Sequence, residues 1–486
     1  MIFSGSFSSG KHGPPRGLRF RLLAALLSVF IGISHAVAVD VWLTKGDKSQ
    51  LLSQQTDLLL KPGNGSGGFT ITVDPNSTFQ SIKGFGASLT DSSAWLIQNR
   101  LSGVQRDKLM KLLFAPDTGA GMNYLRLPMG ASDFTASGVY TYNDLPSGQT
   151  DATQSQFSIA HDQQYSIPQL LQTKSLNPNL KLMGSPWSAP AWMKTNSSLY
   201  GGELDSQWRG SYAVYLKKFI DAYAAEGLPV DAISIQNEPQ NVNLSYPTMA
   251  MSAAQQTDII KNHLGPLFAA AGIDTKILIY DHNWDDPGYA IDILNDPQAK
   301  PFVAGTAFHA YAGDVSAQTT VHDAHPDKAI YFTEVTGFEA ASNFSDNLVW
   351  GLRNIIIGGT RNWSETALYW NLALDENNGP HLGGCSDCRG VVTINSGSGA
   401  VTANEEFYTI AHASKFVQPG AVRIGSSTLA NTLETVAFEN PDGSKVLIAL
   451  NPGDPTRSFR IVDQGQHFAY SLTGKSVATF VWEAEG

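Results

Sequence analysis

Basic charge is scarce in this chain of 486 residues. Its 32 Lys and Arg are outnumbered by 43 Asp and Glu, charged residues make up only 15%, and the formal net charge is −11. Nucleic-acid binding needs basic patches that neutralise phosphates, and adhesion to an anionic bilayer needs them too. Both classes are disfavoured, and uncharged partners such as sugars stay open. Beyond residue 38 no segment holds 18 consecutive apolar residues, so no later membrane-spanning helix is expected. The Gly-x-Ser-x-Gly elbow of serine hydrolases is missing, and so is the His-Glu-x-x-His of zinc peptidases. His322-Asp323-Ala324-His325 resembles a ligand pair, but it lacks a third ligand at a telling distance and reads as a solvated loop.

What is abundant is apolar and aromatic mass. Hydrophobic residues are 42% of the chain, with 10 Trp, 16 Tyr and 23 Phe. That suffices for a large core and excludes wholesale disorder. The length allows two or three domains, or one large barrel with an appendage.

The N-terminus reads as an address. Lys11, Arg16, Arg19 and Arg21 precede the apolar run Leu22 to Ile33, and Ala36-Val37-Ala38 follows as a small-x-small cleavage pattern. This is the layout of a secretory signal peptide, here residues 1–38. A secreted, extracellular protein with no membrane contact after signal removal is expected. Six Asn-x-Ser/Thr sequons, at Asn64, Asn76, Asn196, Asn243, Asn343 and Asn362, agree with export. The only two cysteines, Cys385 and Cys388, stand in the Gly-rich stretch Gly383-Gly384-Cys385-Ser386-Asp387-Cys388. In an oxidising compartment they predict a local disulfide that pins a loop. A thioredoxin-type motif would need a βαβ context and a helix start that this stretch lacks.

Residues 39–80 are mixed and include the strand-like Phe69-Thr70-Ile71-Thr72-Val73. From residue 81 to 400 a rhythm of eight short apolar segments appears: Ile82 to Leu89, Asn123 to Met129, Lys181 to Trp187, Ala232 to Asn237, Lys276 to Asp281, Thr306 to Ala312, Ala329 to Glu334, and Thr366 to Leu372. Helical patterns lie between them. Tyr212, Tyr215, Leu216, Phe219, Ile220 and Tyr223 follow i, i+3, i+4, i+7, i+8, i+11, and Gly227 supplies a stop. Strand and helix alternating eight times predict an α/β fold of the (β/α)8 barrel type. Residues 401–486 change character, with a helical Phe407 to Phe416 and then short strands separated by turns such as Asn440-Pro441-Asp442-Gly443. They predict a side β-sandwich joined by the N-terminal segment 39–80.

In such a barrel the reactive groups stand at the C-terminal ends of strands. The fourth segment runs into Gln236-Asn237-Glu238-Pro239 and the seventh ends in Phe332-Thr333-Glu334. Two carboxylates on opposing strands over an uncharged pocket suit glycoside hydrolysis, one as acid and the other as nucleophile or base. The acid has to stay protonated near neutral pH, which requires neighbours that raise its pKa. Pro239 predicts an extended Glu238.

The stretches Lys83 to Asp91, Tyr124 to Met129, Ser185 to Asn196, Gln236 to Pro239, Phe308 to Tyr311 and Tyr369 to Leu372 together resemble glycoside hydrolase family 30, and within it the fungal endo-β-1,6-glucanases most. The resemblance implies a barrel with a side β-domain and a retaining enzyme on a neutral polysaccharide, β-1,6-glucan. It implies a mechanism needing no metal or other cofactor. A monomer is expected, and the acidic charge disfavours nucleic acid and membrane as partners. It carries the acid/base role to Glu238 and the nucleophile role to Glu334. It assigns Asn237 to the sugar 2-hydroxyl and Arg126 to the neighbourhood of the nucleophile. His309 and Tyr311 border that nucleophile, Asp133 and Trp187 hold the bound sugar, and Trp370 forms the floor beneath it. Asp281-His282-Asn283-Trp284, after the fifth segment, is expected in the cleft wall. The family also contains glucosylceramidases, β-xylanases and β-1,6-galactanases, and an inactive secreted sugar-binding protein is the rival outside enzymology.

Overall fold

The computed structural model describes residues 37–341 and 343–483. The signal-peptide expectation therefore lies outside the described residues, save for Val37 and Ala38. Among the described residues no helix is long and apolar enough to cross a membrane.

Eight parallel strands close into a barrel: β1 Gly84–Ser88, β2 Tyr124–Met129, β3 Lys181–Pro186, β4 Ala232–Ser234, β5 Lys276–Asn283, β6 Val303–His309, β7 Ala329–Glu334 and β8 Ser364–Asn371. Each falls within or overlaps one of the eight apolar segments. Parallel strands covered by helices are buried on both faces, and this is why they read as apolar runs without alternation. The outward faces pack on helices such as Arg209–Ala225, whose Tyr212, Tyr215, Leu216, Phe219 and Tyr223 are buried. The inward faces build layers. Tyr124, Met183, Ala232, Leu278, Ala307, Tyr331 and Leu368, one from each of β2 to β8, form a closed apolar cluster inside the barrel. Because side chains alternate along a strand, the next inward position is two residues on. That rule selects Arg126, Ser185, Ser234, His309, Thr333 and Trp370. A polar layer thus rests on an apolar plug.

The side domain is one curled, mostly antiparallel sheet of eleven strands. Its C-terminal strands are joined by the N-terminal segment more extensively than Phe69 to Val73 alone suggests. Val39 to Lys45 pair with Ser476–Trp482, and Phe69 to Val73 pair in parallel with Phe459 to Asp463. One sheet face, with Val436, Phe438, Val446, Ile448 and Val477, joins the barrel's hydrophobic cluster. The other, with Ala437, Leu447, Ala449, Ala478 and Phe480, closes the domain's own core. The helix Glu405–Ser414 joins the two. Its buried His412 bonds Thr479 and Thr44 of the sheet, each at 2.8 Å, and Ser414 donates to the Ala120 carbonyl.

Candidate active site

The polar layer opens at the C-terminal ends of the strands, where Glu238 and Glu334 converge. One oxygen of each lies within 4.8 Å of the other and of a His309 nitrogen. Arg126, wholly buried on β2, holds Glu334 from below. Its Nη1 donates to Glu334 at 2.5 Å, and its Nη2 to Asp281 at 2.8 Å and to Asn237 Oδ1 at 2.7 Å. Tyr311 caps the other Glu334 oxygen with its hydroxyl at 2.9 Å. His309 bridges Glu238 Oε1 through Nδ1 and Asp281 through Nε2, both at 3.0 Å. Asn241 donates to Glu238 Oε2 at 2.7 Å.

Asp281 is the hub of this network. It is fully buried and accepts from Arg126, Ser185, Ser234, Thr333 and His309. The sequence reading put it in the cleft wall, but it lies beneath the cleft. A register shift in β5 between Tyr280 and His282 turns it inward, and Tyr280 and Asp281 take left-handed φ values of 69° and 59°. Glu238 is left-handed as well, at φ 44°, against the extended geometry that Pro239 suggests. The β4 ladder ends at Ser234, and the Glu238 N–H turns to donate to the Asp281 carbonyl at 3.0 Å. Two strained backbones thus brace each other. Such conformations cost about 1–3 kcal/mol each and persist where surrounding structure enforces them.

Charge in the layer is out of balance. Arg126 and His309 face Asp281, Glu238, Glu334 and Asp133. Asp281 is buried, yet Arg126 and His309 hold its pKa well below the carboxylate range. Burial pushes Glu334 above its ordinary value against the pull of His309 and Arg126. Burial and the two glutamates push Asp133 well above its own. Burial opposes a charged His309, but Glu334, Asp281 and Glu238 raise it to about 9. Burial would raise Glu238 as well, but the His309 hydrogen bond and charge hold it at about 2. The hydrogen bond between them thus pushes His309 up and Glu238 down, opposite to the direction that a free acid at 238 requires.

The remaining expected residues surround this layer. Trp187 and Trp370 stack with centroids 4.9 Å apart and lie against the Arg126 guanidinium. At 2–3% exposure they support the cleft base and present little open ring face. The disulfide Cys385–Cys388 is formed, and both cysteines pack with Phe134, Trp187 and Trp370. Its loop closes one side of the mouth, where Leu382 N–H donates to the Asp133 carbonyl and Phe338 pairs with Cys388. Asn64, Asn76, Asn196 and Asn343 are exposed, while Asn243 and Asn362 are half-buried and the Asn362 amide is tied to Gly358. Sequence reasoning missed Asn241 and the serine and threonine collar around Asp281. The collar was readable by counting two residues up each strand from the apolar plug.

The model of the glycosyl hydrolase family 30 TIM-barrel domain matches residues 82–417, and that of the family's β-sandwich domain matches 420–480. The chain belongs to glycoside hydrolase family 30. Among curated relatives, an endo-1,6-β-D-glucanase of Neurospora crassa is 36% identical over 452 residues, covering 87% of this chain and 90% of the relative. The lysosomal acid glucosylceramidase of Mus musculus is 30% identical, covering 86% and 84%. Among solved structures, the endo-β1,6-glucanase BT3312 superposes with a TM-score of 0.87 at 31% identity, covering 92% of this chain and all of that one. As a family 30 member the chain is a glycoside hydrolase.

Proposed function

We propose that this chain is a secreted endo-β-1,6-glucanase acting by double displacement. The observation that carries the reading is the convergence of Glu238 and Glu334, one oxygen of each lying within 4.8 Å of the other. Retaining enzymes hold their carboxyl groups roughly 5–5.5 Å apart, whereas inverting ones leave roughly 6.5–9.5 Å for a water. Glu334, fixed by Arg126 and Tyr311, attacks C1 as the anion. Glu238 gives its proton to O6 of the departing glucose, whose C1–O6 bond breaks. Water, deprotonated by Glu238, then attacks C1 and frees Glu334. Asn237, held by Arg126, takes the sugar 2-hydroxyl, a contact worth most at the transition state. Asp133 and the Trp187–Trp370 base hold the same ring.

The acid starts as the His309–Glu238 pair, which shares one dissociable proton. A bound sugar removes water from Glu238, whereas His309 is already buried. Desolvation raises a carboxyl pKa, so binding moves the proton onto Glu238. The β-1,6 linkage and the endo mode are drawn from the fungal and BT3312 relatives. Product profiles on pustulan, laminarin, xylan and glucosylceramide test them. Gentio-oligosaccharides from pustulan alone, with the β-anomer formed first, are expected. Glucose from glucosylceramide with pustulan left intact would overturn the linkage.

A further inference from the structure

Glu238 and Glu334 each have a tyrosine close by, and the two tyrosines use their protons differently. Tyr311 donates its proton to Glu334. Tyr246, on the loop that follows β4, accepts instead. The Asn241 Nδ2 that donates to Glu238 Oε2 at 2.7 Å also donates to the Tyr246 hydroxyl at 3.0 Å. The proton of Tyr246 itself has no acceptor among the described residues. The half-buried ring packs against Phe134, Trp187, Trp370 and Cys388 at the cleft base. Burial and the Asp133 and Glu238 carboxylates push the Tyr246 pKa up, so the hydroxyl keeps its proton. The loop is clamped from both sides. The buried Lys194 ammonium donates to the Thr248 carbonyl at 2.7 Å, and to the Leu199 carbonyl and the Ser188 hydroxyl at 3.0 and 2.8 Å. Gly383 of the disulfide loop, at φ 72°, lies so close that a Cβ there would overlap the Ser245 carbonyl. The hydroxyl is therefore in place before substrate arrives.

We infer that Tyr246 is a specificity-determining residue whose hydroxyl donates to the ring oxygen of the departing glucosyl unit. The inference rests on the proposed β-1,6-glucanase reading. Glu238 protonates the leaving oxygen, and one amide nitrogen ties that carboxylate to Tyr246. The free O–H therefore stands beside the bond that breaks. A ring oxygen only accepts, so it needs a donor, and the ionised carboxylates of the site cannot supply one. Rotation about C5–C6 sets a leaving O6 gauche to the ring oxygen O5, so a donor beside the acid reaches O5 as well. In a 1,4 link O5 is fixed anti to the leaving O4, and in a 1,3 link it lies across the ring. The same donor then misses it, which favours the 1,6 link by difference.

The test compares gentiotriose with nitrophenyl β-gentiobioside, which offer the same gentiobiosyl unit and differ in what departs. Tyr246→Phe keeps the ring and its packing. It should lower kcat/KM for glucose release from gentiotriose about tenfold, the scale of one hydrogen bond, and lower nitrophenol release much less. Both limbs of the pH profile on gentiotriose should stay where they are. Wild-type enzyme should lose a similar factor on gentiotriose whose reducing-end ring oxygen is replaced by methylene, and Tyr246→Phe should lose little more on that analogue. Equal kcat/KM of wild type and variant on gentiotriose overturns the inference, as does a wild type indifferent to the methylene. Equal losses on both substrates, or a moved limb, overturn it too, because Tyr246 would then act only by holding Asn241 and Glu238. Failure of the underlying reading shows separately, as wild-type protein that leaves pustulan uncut.

Discussion

The two ends of the barrel are built from the same eight strands and treat charge in opposite ways. At the N-terminal end Lys83 pairs with Glu365 at 2.5 Å and Lys276 with Asp231 at 2.7 Å, and Tyr124 donates to the second Asp231 oxygen at 3.1 Å. These charges are part-exposed and matched. At the C-terminal end four carboxylates share Arg126 and His309 in near-complete burial. A matched, half-wet set of charges stabilises modestly. An unmatched, dry set raises or lowers pKa values and costs stability. Perturbed groups gathered in a cleft mark the functional end.

Neutralising one carboxylate at each end breaks the comparison open. Glu334→Gln and Glu238→Gln should each cut turnover by about 10⁴-fold or more, the scale for a group whose removal ends the chemistry. Their circular dichroism and Tm should stay close to wild type, because Arg126 keeps Asp281. Undiminished turnover in Glu334→Gln would refute the nucleophile. Asp133→Asn should cost roughly 10²–10³-fold in kcat/KM, the scale for one site hydrogen bond. Its Tm should hold or rise, since an excess buried charge is removed. A clear fall in Tm would mean that the C-terminal end is not overcharged.

The pH profile sharpens the same contrast. Glu334 must be ionised to attack, and burial raises its pKa. The rise of kcat/KM with pH therefore falls above the ordinary glutamate range. The pair of Glu238 and His309 must keep one proton, and with His309 raised to about 9 kcat/KM should fall as pH passes through that value. In His309→Asn the alkaline limb becomes Glu238's own and moves to lower pH. An alkaline limb unmoved by this substitution would remove His309 from the proton inventory.

Legibility followed the physics of each feature. Glu238 and Glu334 were readable because burial on both faces turns a parallel strand into an apolar run, and a charge following it stands out, whereas Arg126, inside β2, was carried by the family resemblance. The Cys385–Cys388 bond was readable from its spacing and from the expectation of an oxidising compartment. Asp281 was not, because the irregularity at Tyr280–Asp281 breaks the period that tells which way a strand residue faces. The left-handed Glu238 was not, because the local rule for residues before proline was overridden by the hydrogen bond to Asp281. The hydrogen bond between His309 and Glu238 was not legible, because the two are 71 positions apart and only the fold joins them. The pairing of Ala38–Lys45 with Ser476–Trp482 is a contact between chain ends, and no periodicity encodes such contacts.

The N-terminal end supplies the smallest and cleanest effect. Asp231 accepts from Lys276 and Tyr124, and its side chain is 16% exposed beside a lysine at 35%. Asp231→Asn keeps an acceptor for Tyr124 and removes the ion pair. Part-exposed pairs contribute about 0–1 kcal/mol, which in a protein of this size lowers Tm by no more than about 2–4 °C. Between that end and Glu334 lies the apolar plug of Tyr124, Met183, Leu278 and Tyr331, which carries no mobile charge. Asp231→Asn should therefore leave kcat/KM and both limbs of the pH profile where they were. A shifted acid limb would show that the plug transmits charge and that the two ends are not electrically separate.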